Sequence, residues 1–198
     1  MPTLLLATSN PGKAREYRIL LDALGYRLTT LADEGIAEVV AESGHTYEEN
    51  ARLKALAYSR LSGRLTLADD SGLEVDALDG APGVRSARFA GEFAADSDRV
   101  RLLLAKLTDV PPAQRTAHFK CVIAVASPEG HAEICSGECH GMIAFEPRGE
   151  SGFGYDPVFF IPDLGKTMAE LPLEIKNQIS HRARASQQVS EVLQRLQL

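Results

Sequence analysis

The stretch "TYEENARLKALAYSRLSG", residues 46–63, is the strongest constraint on what this chain folds into. Thr46 can cap a helix, Glu49 stands three residues later as in a capping box, and Gly63 supplies a stop. The pattern therefore predicts one long helix. The run "RLTLADD" follows at once and reads as a buried strand. A long helix that leads straight into a buried strand is typical of α/β proteins.

The segments before this helix repeat the alternation. "TLLLATS" predicts a short buried strand, "AREYRILLDALG" has apolar residues at helical spacing with Gly25 as its stop, and "YRLTTLA" predicts a second strand. The order strand, helix, strand, helix, strand predicts a sheet with helices on its faces.

The rest of the chain gives a mixed pattern. We predict that the third strand ends at Asp69-Asp70 and that "SGLEVDALDGAPGVRSARFAGEF" is an irregular loop. "DSDRVRLLLAKL" predicts a helix, and "AHFKCVIAVASPEGHAEICSGECHGMIAF" predicts two long strands joined at "SPEG". The hairpin and helix would form a second lobe inserted into the first. The tail predicts a short strand and then one helix from about Ser180.

Length and charge narrow the classes of function that this chain can have. The 198 residues suit one domain, or one domain with two lobes. The net charge of −6 argues against a generic nucleic-acid footprint, and no stretch is long and apolar enough for a membrane span. Because the N-terminus lacks a basic region typical of a signal peptide, we expect a cytoplasmic protein with reduced thiols.

The three cysteines leave a zinc site open as an alternative. "HAEICSGECH" brings Cys135 and Cys139 near His131 and His140, while Cys121 stands apart. The segment reads as strand and lacks a paired C-x-x-C spacing. Buried thiols that act as small hydrophobic side chains are therefore favoured over zinc.

Two segments carry candidate phosphate ligands. "ATSNPGKA" leads from a strand into a helix, and the free N–H groups of a helix start attract anions. Asn10 as cap with Pro11 in the first turn is equally well explained as an ordinary helix start. In "AESGHTYEENARLKA", Asn50 and Lys54 are four residues apart and share a face, which taken alone is best interpreted as solvated.

The adjacent carboxylates of Asp69 and Asp70 favour a functional site. A strand end in an open α/β sheet is where ligands bind, and two carboxylates there suit Mg²⁺. An Asx-type turn would explain one aspartate but not both.

The C-terminal part adds candidates for binding a base. In "SGFGYDP", Phe153 could stack on a base or serve as a core aromatic, and the core role is the commoner one. Lys176, His181 and Arg182 supply donors near the start of the last helix. Metal ligands, phosphate ligands and base donors together point to a nucleoside triphosphate with Mg²⁺.

The motifs "TSNPGK", "TYEENARLKA", "ADDSGLEVDALDGAPGVRSARFAG", "GFGYDPVF" and "KNQISHR" occur in this order over nearly the whole chain. In this they resemble the inosine/xanthosine triphosphate pyrophosphatases, the Ham1-like enzymes. The resemblance implies one two-lobed domain over residues 1–198, an elongated mixed sheet flanked by helices and a central cleft between the lobes. It also implies a homodimer that requires Mg²⁺ and hydrolyses ITP, dITP and XTP to monophosphate and pyrophosphate.

The resemblance also assigns residues. Asp70 matches the catalytic carboxylate and metal ligand, and Glu42 matches a second metal-site carboxylate, although Ala41 replaces the first member of the usual acidic pair. The implied substrate contacts are Thr8, Ser9, Asn10, Pro11, Gly12, Lys13, Lys54, Ser71, Phe153, Gly154, Tyr155, Asp156, Lys176, His181 and Arg182. Two alternatives stay open: a Maf-like pyrophosphatase of other modified nucleotides, and a non-catalytic nucleotide-binding module.

Overall fold

One mixed sheet runs through the computed structural model, which describes residues 1–196. Its strands are β1 (Thr3–Leu6), β2 (Arg27–Thr30), β3 (Leu65–Val75), β4 (Thr116–Ala126), β5 (Ala132–Ile143), β6 (Phe159–Ile161) and β7 (Lys166–Thr167). Their order is β2-β1-β3-β4-β5-β6-β7. β1 pairs in parallel with β2 and β3, whereas β6 is antiparallel to β5 and β7. The predicted α/β fold with a mixed sheet is confirmed.

The helices flank this sheet. They are α1 (Pro11–Leu20), α2 (Tyr47–Ser62), α3 (Asp96–Lys106), α4 (Leu173–Ile179), α5 (His181–Ser186) and α6 (Val189–Leu196). The capping box of α2 is present as predicted, with Thr46 and Glu49 bonded to each other's backbone N–H groups. Gly63 ends the helix in the left-handed conformation, with φ of 65°.

The chain divides into two compact units, each with its own core. The first comprises residues 1–70, residues 121–137 and the stretch that begins at His181. Its core joins strand residues such as Leu4, Leu67 and Ile123 to Tyr17 and Val192 on the helices. The second unit comprises residues 71–120 and 138–180.

The core of the second unit explains why β3 is longer than predicted. β3 does not end at Asp69-Asp70 but continues through Ser71 and Gly72 to Val75. Leu73 and Val75 are fully buried in the core of the second unit, with the partly exposed Glu74 between them, so the strand continues past the polar residues. The predicted loop after it also contains short helical turns, one of them at Gly83–Arg88.

The C-terminal part also differs from the prediction. It contains three helices rather than one that starts near Ser180. Ser180 is extended, with ψ of 156°, and separates α4 from α5. Ile175 and Ile179, four residues apart on α4, pack against the core of the second unit, whereas Ala185 and Val189 belong to the core of the first. Lys176 therefore lies inside a helix that the sequence pattern did not indicate.

All three cysteines are buried, as predicted. Burial raises the pKa of the Cys121 thiol to about 12 and that of Cys135 to about 11. Across residues 1–196, no group of three or more His, Cys, Asp and Glu side chains is placed to hold a metal ion. The cysteine segment therefore gives the zinc alternative no support.

Arg115 ties three parts of the second unit together. Its buried guanidinium donates to the carbonyl oxygens of Leu107 at 2.8 Å, Ile143 at 2.9 Å and Ala144 at 3.1 Å. Leu107 is the C-cap of α3, so a positive charge there also complements the helix dipole.

We expect Arg115→Met to lower the free energy of unfolding by about 2 kcal/mol, because it removes a buried guanidinium that donates to three carbonyl oxygens. Urea denaturation followed by circular dichroism measures this. Arg101→Met is the control, since Arg101 makes an exposed ion pair with Asp98 on α3. Equal stability of the two variants would contradict the assigned role of Arg115.

Candidate active site

The start of α1 is built as an ordinary helix cap and also carries a lysine. The Asn10 side chain accepts a hydrogen bond from the Lys13 N–H at 3.1 Å, and Pro11 is the first helical residue. Thr8 Oγ1 accepts from the Asn10 N–H at 3.2 Å. Lys13 Nζ lies 2.8 Å from Asp69 Oδ2. Capping and phosphate binding are compatible here, and phosphate binding by residues 8–13 stays a prediction.

One face of α2 is turned toward β3. Asn50 is fully buried and donates to Asp70 Oδ2 at 2.9 Å. Lys54 Nζ donates to Glu42 Oε1 at 2.6 Å and to the backbone oxygen of Asp69 at 2.5 Å. The interpretation of this face as solvated is therefore wrong. We call Lys13, Glu42, Lys54, Asp69 and Asp70 the carboxylate–lysine cluster; all five lie in the first unit.

Of the adjacent residues Asp69 and Asp70, Asp69 is the one with several positive charges around it. It is 2 % exposed, contacts Lys13, and lies 3.7 Å from Arg182 Nη2. Burial raises its pKa, but the charges of Lys13, Arg182 and Lys54 outweigh this and hold the pKa well below its usual range. Asp69 is therefore ionised and already balanced by neighbouring cations.

Asp70 lies on the opposite face of the strand, since successive side chains alternate. Burial raises its pKa, while Lys54 and the Asn50 hydrogen bond oppose the rise and the nearby Glu42 charge adds to it. The pKa of Asp70 is therefore raised where that of Asp69 is lowered. Asp70 is thus better placed than Asp69 to accept a cation or a proton.

Arg182 lies next to Asp69 and is almost fully buried. Its guanidinium pairs with Glu16 on α1 and lies over the Tyr17 ring, 5.6 Å from the ring centroid. In this structure the guanidinium is thus engaged by protein groups. His181, which begins α5, is also buried. Sequence reasoning missed Glu16, although its position three residues after Lys13 on α1 places both on one helix face.

The second unit holds the other predicted contacts, in a segment that we call the aromatic loop, residues 152–156. Asp156 Oδ2 accepts from the Phe153 N–H at 2.9 Å and from Lys176 Nζ at 2.5 Å. Lys176 Nζ also lies 5.0 Å from the centroid of the Phe153 ring. Gly152 has φ of 81°, and a Cβ there would overlap the Asp156 carboxylate, so this turn requires glycine.

Two further contacts anchor the aromatic loop. The Gly154 N–H donates to Asp96 Oδ2 at 2.7 Å, and the Tyr155 hydroxyl donates to the Ser86 carbonyl oxygen at 2.9 Å. Sequence reasoning included Asp96 only as part of a predicted helix and assigned no role to Ser86. Ser71, the first residue of the second unit, follows Asp70 directly on β3.

The donor set of Asp70 and Glu42 suits a magnesium ion. Both offer carboxylate oxygen, the ligand type that Mg²⁺ prefers, and Mg²⁺ is commonly held by one or two carboxylates while it keeps waters and binds substrate phosphates. The mutual repulsion of the two charges is what a divalent cation would relieve. The residues therefore fit the ion that the family resemblance implies.

A helix start with a lysine, next to buried carboxylates and a second lysine, suits a protein that binds phosphorylated ligands. Comparison with known proteins makes this specific: the chain belongs to the Ham1 family, whose model matches residues 4–192.

Named relatives cover almost the full chain. It is 50% identical over 194 residues to a dITP/XTP pyrophosphatase of Desulforamulus reducens, which spans 98% of this chain and 96% of the relative. It is 46% identical to a dITP/XTP pyrophosphatase of Bacillus subtilis, with 98% of each chain covered. The structure matches that of a HAM1 protein from Coxiella burnetii with a TM-score of 0.88 and 41% identity, covering 98% of this chain and 100% of that one.

The helices of residues 1–196 include none with the length and apolar character needed to cross a bilayer.

Proposed function

We propose that this chain hydrolyses the non-standard purine nucleoside triphosphates dITP, ITP and XTP to the monophosphate and pyrophosphate, which removes them from the nucleotide pool. The observation that carries the proposal is the carboxylate–lysine cluster in a chain about half identical to relatives named for this activity. The cluster supplies what attack of water on a polyanion needs, namely cations for the phosphates and a carboxylate for the proton.

Magnesium dependence is part of the proposal, with Asp70 and Glu42 as the residues that would hold the ion. When bound, Mg²⁺ would neutralise phosphate oxygens and make a coordinated water more acidic. Lys54, which bonds to Glu42 and to the Asp69 backbone, would orient Glu42 and offset the substrate charge.

The proton of the attacking water goes to Asp70 in this account. The Asn50 side chain, which donates to Asp70 Oδ2 at 2.9 Å, holds the carboxylate in place for this transfer. Lys13, held at the start of α1 by Asp69, would stabilise the negative charge that moves onto the leaving pyrophosphate. Asp69 would act through Lys13 rather than on the substrate.

Selectivity would depend on the base. Hypoxanthine and xanthine carry an oxygen at position 6, where adenine carries an amino group. A donor such as His181 would pair with the oxygen and would be left unpaired by adenine, a mismatch that costs several powers of ten in kcat/KM. Arg182 would have to leave its pair with Glu16 to serve as a second donor. Phe153 would stack on the base. Guanine shares the oxygen, so its exclusion must act at the 2-amino group.

We further propose a homodimer in the cytoplasm, on the strength of the family resemblance. Light scattering coupled to size-exclusion chromatography measures the mass in solution, and a monomer at micromolar concentration would contradict this part.

Pyrophosphate release from ITP, XTP, GTP and ATP, with Mg²⁺ and with excess EDTA, tests the proposed function. We expect fast release from ITP and XTP, release from ATP and GTP slower by about two powers of ten or more, and loss of release in EDTA. A preference for other modified nucleotides would favour the Maf-like alternative. Binding without release would favour the non-catalytic one.

A further inference from the structure

Two successive backbone N–H groups of the aromatic loop donate to carboxylates. The Phe153 N–H donates to Asp156, which lies in the loop itself. The Gly154 N–H donates to Asp96, which lies 58 residues earlier at the first position of α3. The conformation of the aromatic loop therefore depends on a residue outside the loop.

The Asp96 carboxylate is itself held in place. Its Oδ1 lies 2.9 Å from Arg99 Nη2, three residues along α3. Arg99 in turn donates to the carbonyl oxygens of Ala87 at 3.0 Å and Ala94 at 2.9 Å. One turn of α3 thus fixes the carboxylate and ties it to the chain segment that precedes the helix.

The same preceding segment also anchors Tyr155. The Tyr155 side chain is buried, and its hydroxyl donates to the Ser86 carbonyl oxygen. The Ser86 hydroxyl accepts from the Leu73 N–H at 2.8 Å, which connects the anchor to β3. The Gly- and Ala-rich stretch that the sequence pattern predicted to be an irregular loop therefore supports the aromatic loop directly at Tyr155 and, through Arg99 and Asp96, at Gly154.

We propose that Asp96 is a positioning residue for purine recognition. By holding the Gly154 N–H it keeps the aromatic loop in the conformation in which Phe153 packs by Lys176, and so sets the surface offered to the base without touching the substrate. This inference rests on the proposed function and deepens it, because it assigns part of the selectivity to a residue outside the set of nucleotide contacts.

If Asp96 instead competed with the nucleotide, its removal would change KM in the opposite direction. If the Gly154 N–H had to donate to the base, Asp96 would compete with the nucleotide for that donor. Removal of the carboxylate would then lower KM for ITP. The sign of the change in KM separates the two roles.

The test compares Asp96→Ala and Asp96→Asn with wild type, with ITP and ATP as substrates. We expect Asp96→Ala to raise KM for ITP about tenfold, to change kcat less than about twofold and to lower the ITP-to-ATP ratio of kcat/KM. Asp96→Asn keeps an acceptor oxygen, so its KM for ITP is expected to lie between the values of wild type and Asp96→Ala. Asp109→Asn, which removes an exposed carboxylate just beyond the end of α3, is the control and should match wild type.

Arg99→Met gives a second route to the same effect. It leaves Asp96 in place but removes the guanidinium that holds the Asp96 carboxylate, so KM for ITP should also rise, by a smaller factor. Circular dichroism and the melting temperature of each variant show that the fold is kept, which separates positioning from unfolding.

An unchanged or lowered KM in Asp96→Ala would overturn the inference while leaving the proposed function in place. If wild type does not release pyrophosphate from ITP, the proposed function fails instead. Calorimetric binding of inosine monophosphate to wild type and Asp96→Ala then still tests the positioning role, since weaker binding by the variant is required. No binding by wild type would overturn both.

Discussion

Replacing Asp70 with asparagine is expected to lower kcat for ITP about a thousandfold while the protein stays folded. The amide can still accept the hydrogen bond from Asn50, so the local packing is kept. It can neither accept the proton of the attacking water nor hold a cation as a carboxylate does. Steady-state pyrophosphate release at saturating Mg²⁺ measures the effect.

The stability of Asp70→Asn should not fall together with its activity. Because burial raises the pKa of Asp70, the charged carboxylate is disfavoured in the folded state, and a neutral amide removes that cost. We therefore expect the melting temperature to stay level or to rise. Glu74→Gln, four residues further along β3, is the matched control and should keep wild-type kcat. Near-normal turnover by Asp70→Asn would refute the assignment.

Asp69→Asn is expected to cause a large loss of stability, unlike Asp70→Asn. Asp69 is fully enclosed, so its replacement removes the carboxylate that balances Lys13 and, together with Glu16, the buried Arg182. Breaking such a buried arrangement costs about 4 kcal/mol, which corresponds to a fall of roughly 10 °C in melting temperature for a chain of this size. Thermal and urea unfolding followed by circular dichroism measure it.

The control for Asp69 is an exposed carboxylate. Glu48→Gln removes an exposed i,i+4 ion pair with Arg52 on α2 and should change the free energy of unfolding by less than about 0.5 kcal/mol. If Asp69→Asn proves as stable as Glu48→Gln, the balance of charges around Asp69 described above is wrong. Together the two aspartate variants separate the charge balance around Asp69 from the chemistry at Asp70.

The local features of the fold were predictable, and those that depend on distant contacts were not. The limits of α2 follow from residues within it, so Thr46, Glu49 and Gly63 sufficed to place them. The continuation of β3 was missed because Ser71 and Gly72 resemble a turn, and only the burial of Leu73 and Val75 in a core built by distant segments shows otherwise.

The residues of the candidate site also divide into those that could be predicted from sequence and those that could not. The side chains that carry chemical groups, such as Asp70 and Lys54, could be chosen by residue type and motif. Their supports could not, because the partners are far apart in sequence: Glu16 and Arg182 are separated by 166 positions, and Ser86 and Tyr155 by 69. A helix pattern alone also does not show that Asn50 faces a carboxylate rather than water.

The position of bond cleavage tests the central claim most directly. ITP is hydrolysed in water enriched in oxygen-18, and the products are analysed by mass spectrometry. Attack at the α-phosphorus predicts inosine monophosphate that carries one labelled oxygen, together with unlabelled pyrophosphate in equal amount. Label in pyrophosphate or in inorganic phosphate, or the formation of inosine diphosphate, would contradict the account.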